Sequence, residues 1–286
     1  MIMWLKKRWI RKMLIFTLII IVLIVFSIWQ NNDIVVSKTN YQNKKVPNAF
    51  DGYTIVQISD LHNKTFGKNQ NKLINEIQAI SPDIIVITGD LIDRRKFHLE
   101  KAMLFINRAK NIAPIYYVPG NHEAWSNQYP TIRKDLIEAN VNVLDSGKMT
   151  INRNDSAIDI IGVSDPAFLT ANYSEATNTS QIEECLSLCS DENSFQILLS
   201  HRPELLSLYA RYKMDLVFTV HAHGGQIRLP FMDGLIAPNQ GFFPQYTSGS
   251  YTEQSTTMFV SRGLGNSLIP TRIFNRPEIV TVTLKS

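Results

Sequence analysis

Cysteine is nearly absent from this chain: of 286 residues, only Cys185 and Cys189 carry a thiol. They stand four positions apart in a stretch, Gln181 to Ser190, that reads as helix. That spacing suits a disulfide poorly, and with no His or Cys companions it excludes a thiolate zinc knuckle. A small buried thiol pair is expected. Internal repeats and low-complexity linkers are also missing, so nothing divides the body of the chain. A basic surface is missing too. The formal charge is +4, but Lys6, Lys7, Arg8, Arg11 and Lys12 cluster at the start with no acid among them. Setting those five aside leaves 24 basic residues against 25 acidic ones. Nucleic-acid binding needs a basic stripe to neutralise phosphates, so no nucleic-acid partner is expected.

The longest gap in charge runs from Met13 to Asn32, and Met13 to Trp29 is apolar apart from Thr17 and Ser27. That length crosses most of a hydrocarbon layer. The run closes on Phe26-Ser27-Ile28-Trp29-Gln30 without an Ala-x-Ala-like step, which predicts an uncleaved anchor rather than a removable signal peptide. Basic residues before the helix and none directly after it predict a single-pass protein of the cell membrane with its domain on the extracytoplasmic side. The expected organisation is a cytoplasmic basic segment over 1–12, a transmembrane anchor over 13–30, a tether over 31–46 with a possible edge strand at Ile34-Val35-Val36, and one domain over 47–286.

From Tyr53 onward, apolar strand-like runs alternate with helical patterns: Tyr53 to Ser59 then Gln70 to Ile80, Ile84 to Thr88 then Leu99 to Ala109, Ile115 to Val118 then Ile132 to Ala139. Such alternation means βαβ units and a largely parallel sheet. The second half is richer in strands: Lys148 to Asn152 and Ile158 to Val163 flank the turn Asn154-Asp155-Ser156, and Phe195 to Ser200, Leu216 to Val220, Met258 to Ser261 and Ile279 to Leu284 follow, with helices at Gln181 to Ser190 and Pro203 to Tyr212. The expected fold class is α/β: a four-layer α-β-β-α sandwich, two facing sheets flanked by helices, behind an N-terminal transmembrane helix.

Five of the six histidines fall in short blocks that mostly carry Asp or Asn as well: Asp60-Leu61-His62, Gly120-Asn121-His122-Glu123, the lone His201, and His221-Ala222-His223, joined by Gly89-Asp90-Leu91-Ile92-Asp93. Imidazole nitrogen mixed with carboxylate and amide oxygen is the shell that two adjacent first-row divalent ions need, and Mn²⁺, Fe²⁺, Co²⁺ or Zn²⁺ would suit it. Asp60, Asp90 and Asn121 each follow an apolar strand within three residues, so one sheet rim collects them, and His201 and His221 likewise follow strands of the second sheet. A carboxylate shared by two cations positions a water that ionises near neutral pH, a nucleophile for phosphorus, and Asp90 is the candidate bridge.

These blocks, in this order, resemble the calcineurin-like metallophosphoesterase superfamily. The resemblance spans Ile55 to about Gly225. Gly224-Gly225-Gln226, Ser261-Arg262-Gly263-Leu264-Gly265 and Arg276-Pro277-Glu278-Ile279 further resemble its membrane-anchored bacterial branch, which includes hydrolases of lipid-linked UDP-diacylglucosamine and a cell-wall-associated phosphoesterase. The resemblance implies that Asp60, His62 and His223 hold one ion, that Asn121, His201 and His221 hold the other, and that Asp90 bridges. It implies His122 as proton donor or phosphate-oxygen stabiliser for the departing alkoxide, Asp93 as the group that orients His122, and Glu123 as a supporting residue. Val220 departs from the pattern, since the family usually has Gly before the closing His-x-His.

The expected activity is hydrolysis of a phosphoester or pyrophosphate bond by a metal-bridging hydroxide. The anchor favours a phosphorylated lipid or other cell-envelope substrate, with the aromatic stretch Phe231 to Phe243 as either an acyl-facing wall or a packed loop. Alternatives are a broad-specificity phosphodiesterase or phosphomonoesterase and, from another class, a non-catalytic membrane-tethered binding protein that keeps its metals. Arg94, Arg95 and Lys96 are candidates to reach a substrate phosphate, Arg262 and Arg272 weaker ones. His98, outside the blocks, is expected on the surface, and Asp165 as ordinary Asp-Pro turn chemistry.

Overall fold

The computed structural model describes residues 2–170, 177–229, 232–266 and 271–286. Two six-stranded sheets face each other. The strands in chain order are β1 (Val35–Gln42), β2 (Thr54–Ile58), β3 (Ile84–Ile87), β4 (Ile115–Tyr117), β5 (Asn142–Val143), β6 (Ser146–Arg153), β7 (Ser156–Val163), β8 (Gln196–Leu199) and β9 (Leu216–Thr219). Two short hairpins follow, β10 (Arg228–Leu229) with β11 (Met232–Gly234) and β12 (Ile236–Ala237) with β13 (Gly241–Phe242), and then β14 (Gly249–Glu253), β15 (Thr256–Val260) and β16 (Glu278–Lys285). The first sheet runs β1-β16-β2-β3-β4-β5 and the second β14-β15-β9-β8-β7-β6.

Side-chain alternation along the central strands fixes the layers. Ile55, Val86, Ile160, Ile197 and Phe218 point into the space between the sheets and are fully buried there. Their neighbours Val56, Ile85 and Ile87 turn outward against α2 (Asn71–Ile80), α3 (Leu99–Ala109) and, beyond the short α4 (Asn121–Trp125), α5 (Tyr129–Glu138). On the other side Ile161, Leu198 and Val217 meet α6 (Ser180–Cys189) and α7 (Leu206–Arg211). The result is the four-layer α/β sandwich expected from the sequence.

The alternation does not say which sheet a strand joins. Glu278–Lys285 looked like a member of the second, strand-rich half, yet β16 inserts into the first sheet, parallel to β1 and antiparallel to β2. Both faces of β16 are apolar, with Ile279 on the helix side and Val280 and Val282 between the sheets, so either sheet would satisfy its pattern. Pairing with β1 decides it: β1 is matched with β16 along its whole length, from Val35 opposite Glu278 to Gln42 opposite Lys285.

The N-terminal helix α1 spans Ile2–Asn32. It contains the one segment among the described residues long and apolar enough to cross a membrane, and only 6% of its apolar window is covered by the rest of the chain. Cys185 and Cys189 are unbridged thiols with sulfurs 3.9 Å apart, Cys185 buried and Cys189 partly so. His98 is on the surface beside Glu100.

The inter-sheet layer should dominate stability. Phe218 lies in it, stacked 6.1 Å from Phe259, and Phe218→Ala is expected to cost about 3–5 kcal/mol in urea unfolding. A loss below about 1 kcal/mol would mean that the two sheets do not share one core.

Candidate metal centre

Five loops leave the carboxyl ends of strands on one rim: Asp60 to His62 after β2, Asp90 after β3, Asn121 after β4, His201 after β8 and His221 to His223 after β9. Their backbones are unusual. Asp60, His62, Asp90, His221 and His223 all have positive φ, between 45° and 61°. A left-handed conformation at a non-glycine residue costs about 1–2 kcal/mol, and it persists only where surrounding contacts enforce it. Glu123 enforces part of it: its fully buried carboxylate accepts from Asp90 N and Gly120 N, both at 2.8 Å, and from Ile92 N at 3.3 Å. One side chain thus locks two of the five loops together. Gly120 must be glycine for the same reason, because a Cβ there would fall 2.3 Å from Asp90 Oδ1.

The seven residues named from the sequence as ligands converge. His62 Nε2 faces His223 Nε2 at 3.3 Å, and His223 Nδ1 lies 3.3 Å from Asp60 Oδ2. On the other side His201 Nε2 faces Asn121 Oδ1 at 2.9 Å and His221 Nδ1 at 3.1 Å. Asp90 stands between the two sets, with Oδ2 3.5 Å from His201 Nε2 and 3.7 Å from His62 Nε2. His201 donates from Nδ1 to the Thr88 carbonyl at 2.8 Å, which leaves the Nε2 lone pair aimed into the cluster. Val220 does not displace His221: its side chain is fully buried and its N–H pairs with the His201 carbonyl.

The donor set fits two divalent cations. Both oxygens of Asp60 are buried with no hydrogen-bond partner among the described residues, as are Nδ1 of His62 and Nδ1 of His223. An ionised carboxylate taken out of water without donors is costly, whereas a metal ion would satisfy it. Asp60, His62 and His223 bring ligand atoms within 4.8 Å of one another, and so do Asp60, Asp90 and His201. Burial pushes the Asp60 carboxyl well above the usual range. Burial also holds His62 down to about 3, and His221 and His223 well below the ordinary imidazole value, which keeps them neutral as ligation requires. His201 goes the other way: burial opposes its charge, but Asp90, Asp60 and Asp165 together outweigh burial and raise it to about 10. In the protein alone, an imidazolium is the cation that Asp90 can recruit.

His122 lies beside this cluster, its ring centre 4.5 Å from that of His62. Its Nδ1 accepts from Arg94 N at 3.2 Å, so the neutral ring carries its proton on Nε2. Asp93 Oδ1 is 3.5 Å from the same Nδ1, beyond a direct hydrogen bond, and Asp93 is clasped by Arg95 at 3.0 and 2.9 Å. The cleft over the cluster encloses about 200 Å³ and is lined by His122, Trp125, Arg94, Arg95, Pro238 and Asn239 among others. A roomier depression of about 670 Å³ between α5 and α6 contains none of the clustered residues.

Sequence reasoning missed the supports. Arg202 is a fully buried guanidinium held by Asp165 at 2.5 and 2.8 Å, so Asp165 does more than cap a turn. Arg202 Nη1 and His221 Nε2 both reach Asn239 Oδ1, at 2.8 and 3.0 Å. The tautomer that donates Nε2–H to Asn239 leaves His221 Nδ1 free to ligate. Arg202 follows His201 directly, but nothing in the sequence ties it to Asp165. Arg272 is buried and braces the carbonyls of Gly265 and Arg262. Phe242 and Phe243 are exposed, while Phe231 lies outside the described residues.

Removing the Glu123 carboxylate strands three buried amides, each worth about 1–3 kcal/mol. Glu123→Ala is therefore expected to lower the unfolding temperature and the bound-metal content together, read by calorimetry and elemental analysis. Unchanged metal content would show that the loops hold without it.

The profile of the calcineurin-like phosphoesterase family matches residues 53–225. The uncharacterized metallophosphoesterase YkuE of Bacillus subtilis (strain 168) is 34% identical over 247 residues, covering 84% of this chain and 82% of that protein. A transmembrane protein with metallophosphoesterase domain from Danio rerio is 27% identical over 251 residues, 85% of this chain and 55% of that protein. Among solved structures, a dimetal phosphatase from Danio rerio resembles the fold at 12% identity and a TM-score of 0.47, over 75% of this chain and 88% of that one. With its site at the strand ends where the fold collects ligands, the chain belongs to the calcineurin-like phosphoesterase family and is a metal-dependent phosphoester hydrolase.

Proposed function

We propose that this hydrolase cleaves a phosphoester or pyrophosphate bond in a lipid-linked or cell-envelope substrate, at a two-ion centre on the extracytoplasmic face of the membrane. The observation that carries the two-ion reading is the Asp90 carboxylate set between two groups of buried ligand atoms, beside an Asp60 that has no hydrogen-bond donor. Asp60, His62 and His223 would hold one ion and Asn121, His201 and His221 the other, with Asp90 shared. Two divalent ions there would supply Lewis acidity toward phosphoryl oxygens and a nucleophilic water of lowered pKa.

The protein's own groups then have distinct tasks. Burial opposes a charge on His122, but the carboxylates of Asp90 and Asp93 raise its pKa, which favours the imidazolium that can pass a proton to the leaving oxygen and end as the neutral ring. Asp93, through Arg95 and its closeness to His122, keeps that side of the cleft fixed. Arg94 and Arg95 line the cleft and suit the remaining charge of a phosphoryl group.

Three observations support a membrane-linked substrate. The apolar helix has almost no cover from the chain, five basic residues precede its apolar core, and its last turn packs on the domain that holds the site. An anchor over 13–30 with the domain over 47–286 follows from this reading, and the docked helix end argues against removal of the helix. A reporter fused at the C-terminus is expected to be active only outside the cytoplasm. Activity confined to the cytoplasm would reverse the orientation.

His122→Ala is expected to retain two equivalents of metal and to lower kcat by about 10²–10⁴-fold, the usual worth of a positioned proton donor. A binding protein without catalysis would be indifferent to that change, so an unaltered rate would remove His122 from the reaction. Turnover of soluble monoester and diester reporters, set against lipid pyrophosphates in micelles, separates an envelope hydrolase from a broad-specificity one. Preference for the soluble reporters would sink the lipid assignment.

A further inference from the structure

The turn that presents His223 has positive φ over four successive residues, with strain at the two that are not glycine: His223, Gly224, Gly225 and Gln226 have φ of 47°, 64°, 75° and 61°. Such a run persists only where something pins both of its ends. Asn275 does so. Fully buried, it donates from Nδ2 to the carbonyls of His223 at 2.7 Å and Gln226 at 2.9 Å, the first and last residues of the run.

Asn275 is held in turn by the N-terminal helix. Its N–H donates to Gln30 Oε1 at 3.2 Å, and Gln30 is only 3% exposed although it ends the apolar run. Asn31 Oδ1 accepts from Arg272 N at 3.2 Å and from Asn266 Nδ2 at 2.7 Å. Arg272 completes the frame by donating to the carbonyls of Gly265 at 2.6 Å and Asn275 at 3.2 Å. The helix end is built for this role. Its last turn contains no basic residue, and the domain brings the cations that its carbonyl end attracts. Lys64 Nζ donates to the Asn31 carbonyl, and Arg276 lies 5.0 Å over the Trp29 ring. Phe26 meets Phe274 edge-on at 5.5 Å.

We infer that Gln30 and Asn31 are positioning residues for the metal centre: the final turn of the apolar helix holds Asn275, and through it the backbone that presents His223. Everything from the helix to the imidazole is then a chain of direct contacts rather than a flexible link. The inference rests on the reading of His223 as a ligand of one of two ions.

The test uses the full chain in detergent micelles, with Mn²⁺ binding followed by equilibrium dialysis and elemental analysis. Gln30→Ala with Asn31→Ala is expected to weaken one of the two ions about tenfold or more and leave the other unchanged, in line with the usual effect of removing a support behind a ligand. Gln30→Glu with Asn31→Asp keeps both acceptor oxygens and is expected to restore binding. In the metal-free protein, amide hydrogen exchange in the alanine pair is expected to speed up at 223–226 and 272–276 and nowhere else. Wild-type affinity for both ions in the alanine pair overturns the inference, and so does faster exchange spread across both sheets, which would mark a general stabilising role. A separate control keeps the two readings apart: if His223→Ala still binds both ions tightly, the ligand assignment fails rather than the coupling.

Discussion

A carboxylate removed from water needs donors or a cation, and Asp60 has no donor among the described residues. Most of the site's construction can be traced to that constraint. The fold places Asp60 and Asp90 at adjacent strand ends, buries both, and surrounds them with imidazoles of which burial keeps His62, His221 and His223 neutral. Without cations, the cluster leaves both Asp60 oxygens and Nδ1 of His62 and His223 buried with no partner among the described residues. Such an arrangement is unfavourable by itself and becomes favourable when divalent cations are bound, so folding and metal binding stabilise each other.

The strain in the ligand loops belongs to the same account. Strand ends point side chains away from the sheet, and a left-handed residue just after the strand turns Asp60 and Asp90 back toward a common point. That geometry is maintained by groups that need never touch substrate: Glu123 between two loops, Asn275 across the His223 turn, and the Arg202–Asp165 pair behind His221. Glu123 accepts three backbone N–H groups, so its contribution is to fix positions rather than to ligate.

The clustered residues were legible in the sequence because their chemistry is carried by residue type and short spacing. Asp-x-His after one strand and His-x-His after another need no knowledge of the fold to be noticed, and the β/α alternation supplied the rim on which they meet. The elements behind them were legible for a similar reason: Leu99 to Ala109 has an apolar stripe at helical period, and that is where α3 lies. Pairings over long separations left no such trace. Asp165 and Arg202 are 37 residues apart, and each alone reads as a turn residue or a solvated cation. Gln30 and Asn275 are 245 apart and look like the edge of a membrane helix and a loop amide. The sheet chosen by β16 was equally hidden, since two apolar faces satisfy either core.

Those long-range pairings change how the N-terminal helix should be viewed. An apolar helix on a flexible link fixes only the distance between a membrane and a site, because a loose chain transmits no orientation. Here β1 begins three residues after the helix and pairs along its full length with β16, while Gln30 and Asn31 grip the loop behind the His223 turn. Two attachments on either side of a short connection leave little rotational freedom, so the helix axis and the cleft keep a defined angle. If the helix is the proposed anchor and the substrate the proposed lipid, that substrate would meet the cleft in a preferred pose, and part of the orientational cost of reaction would be met by the architecture before binding.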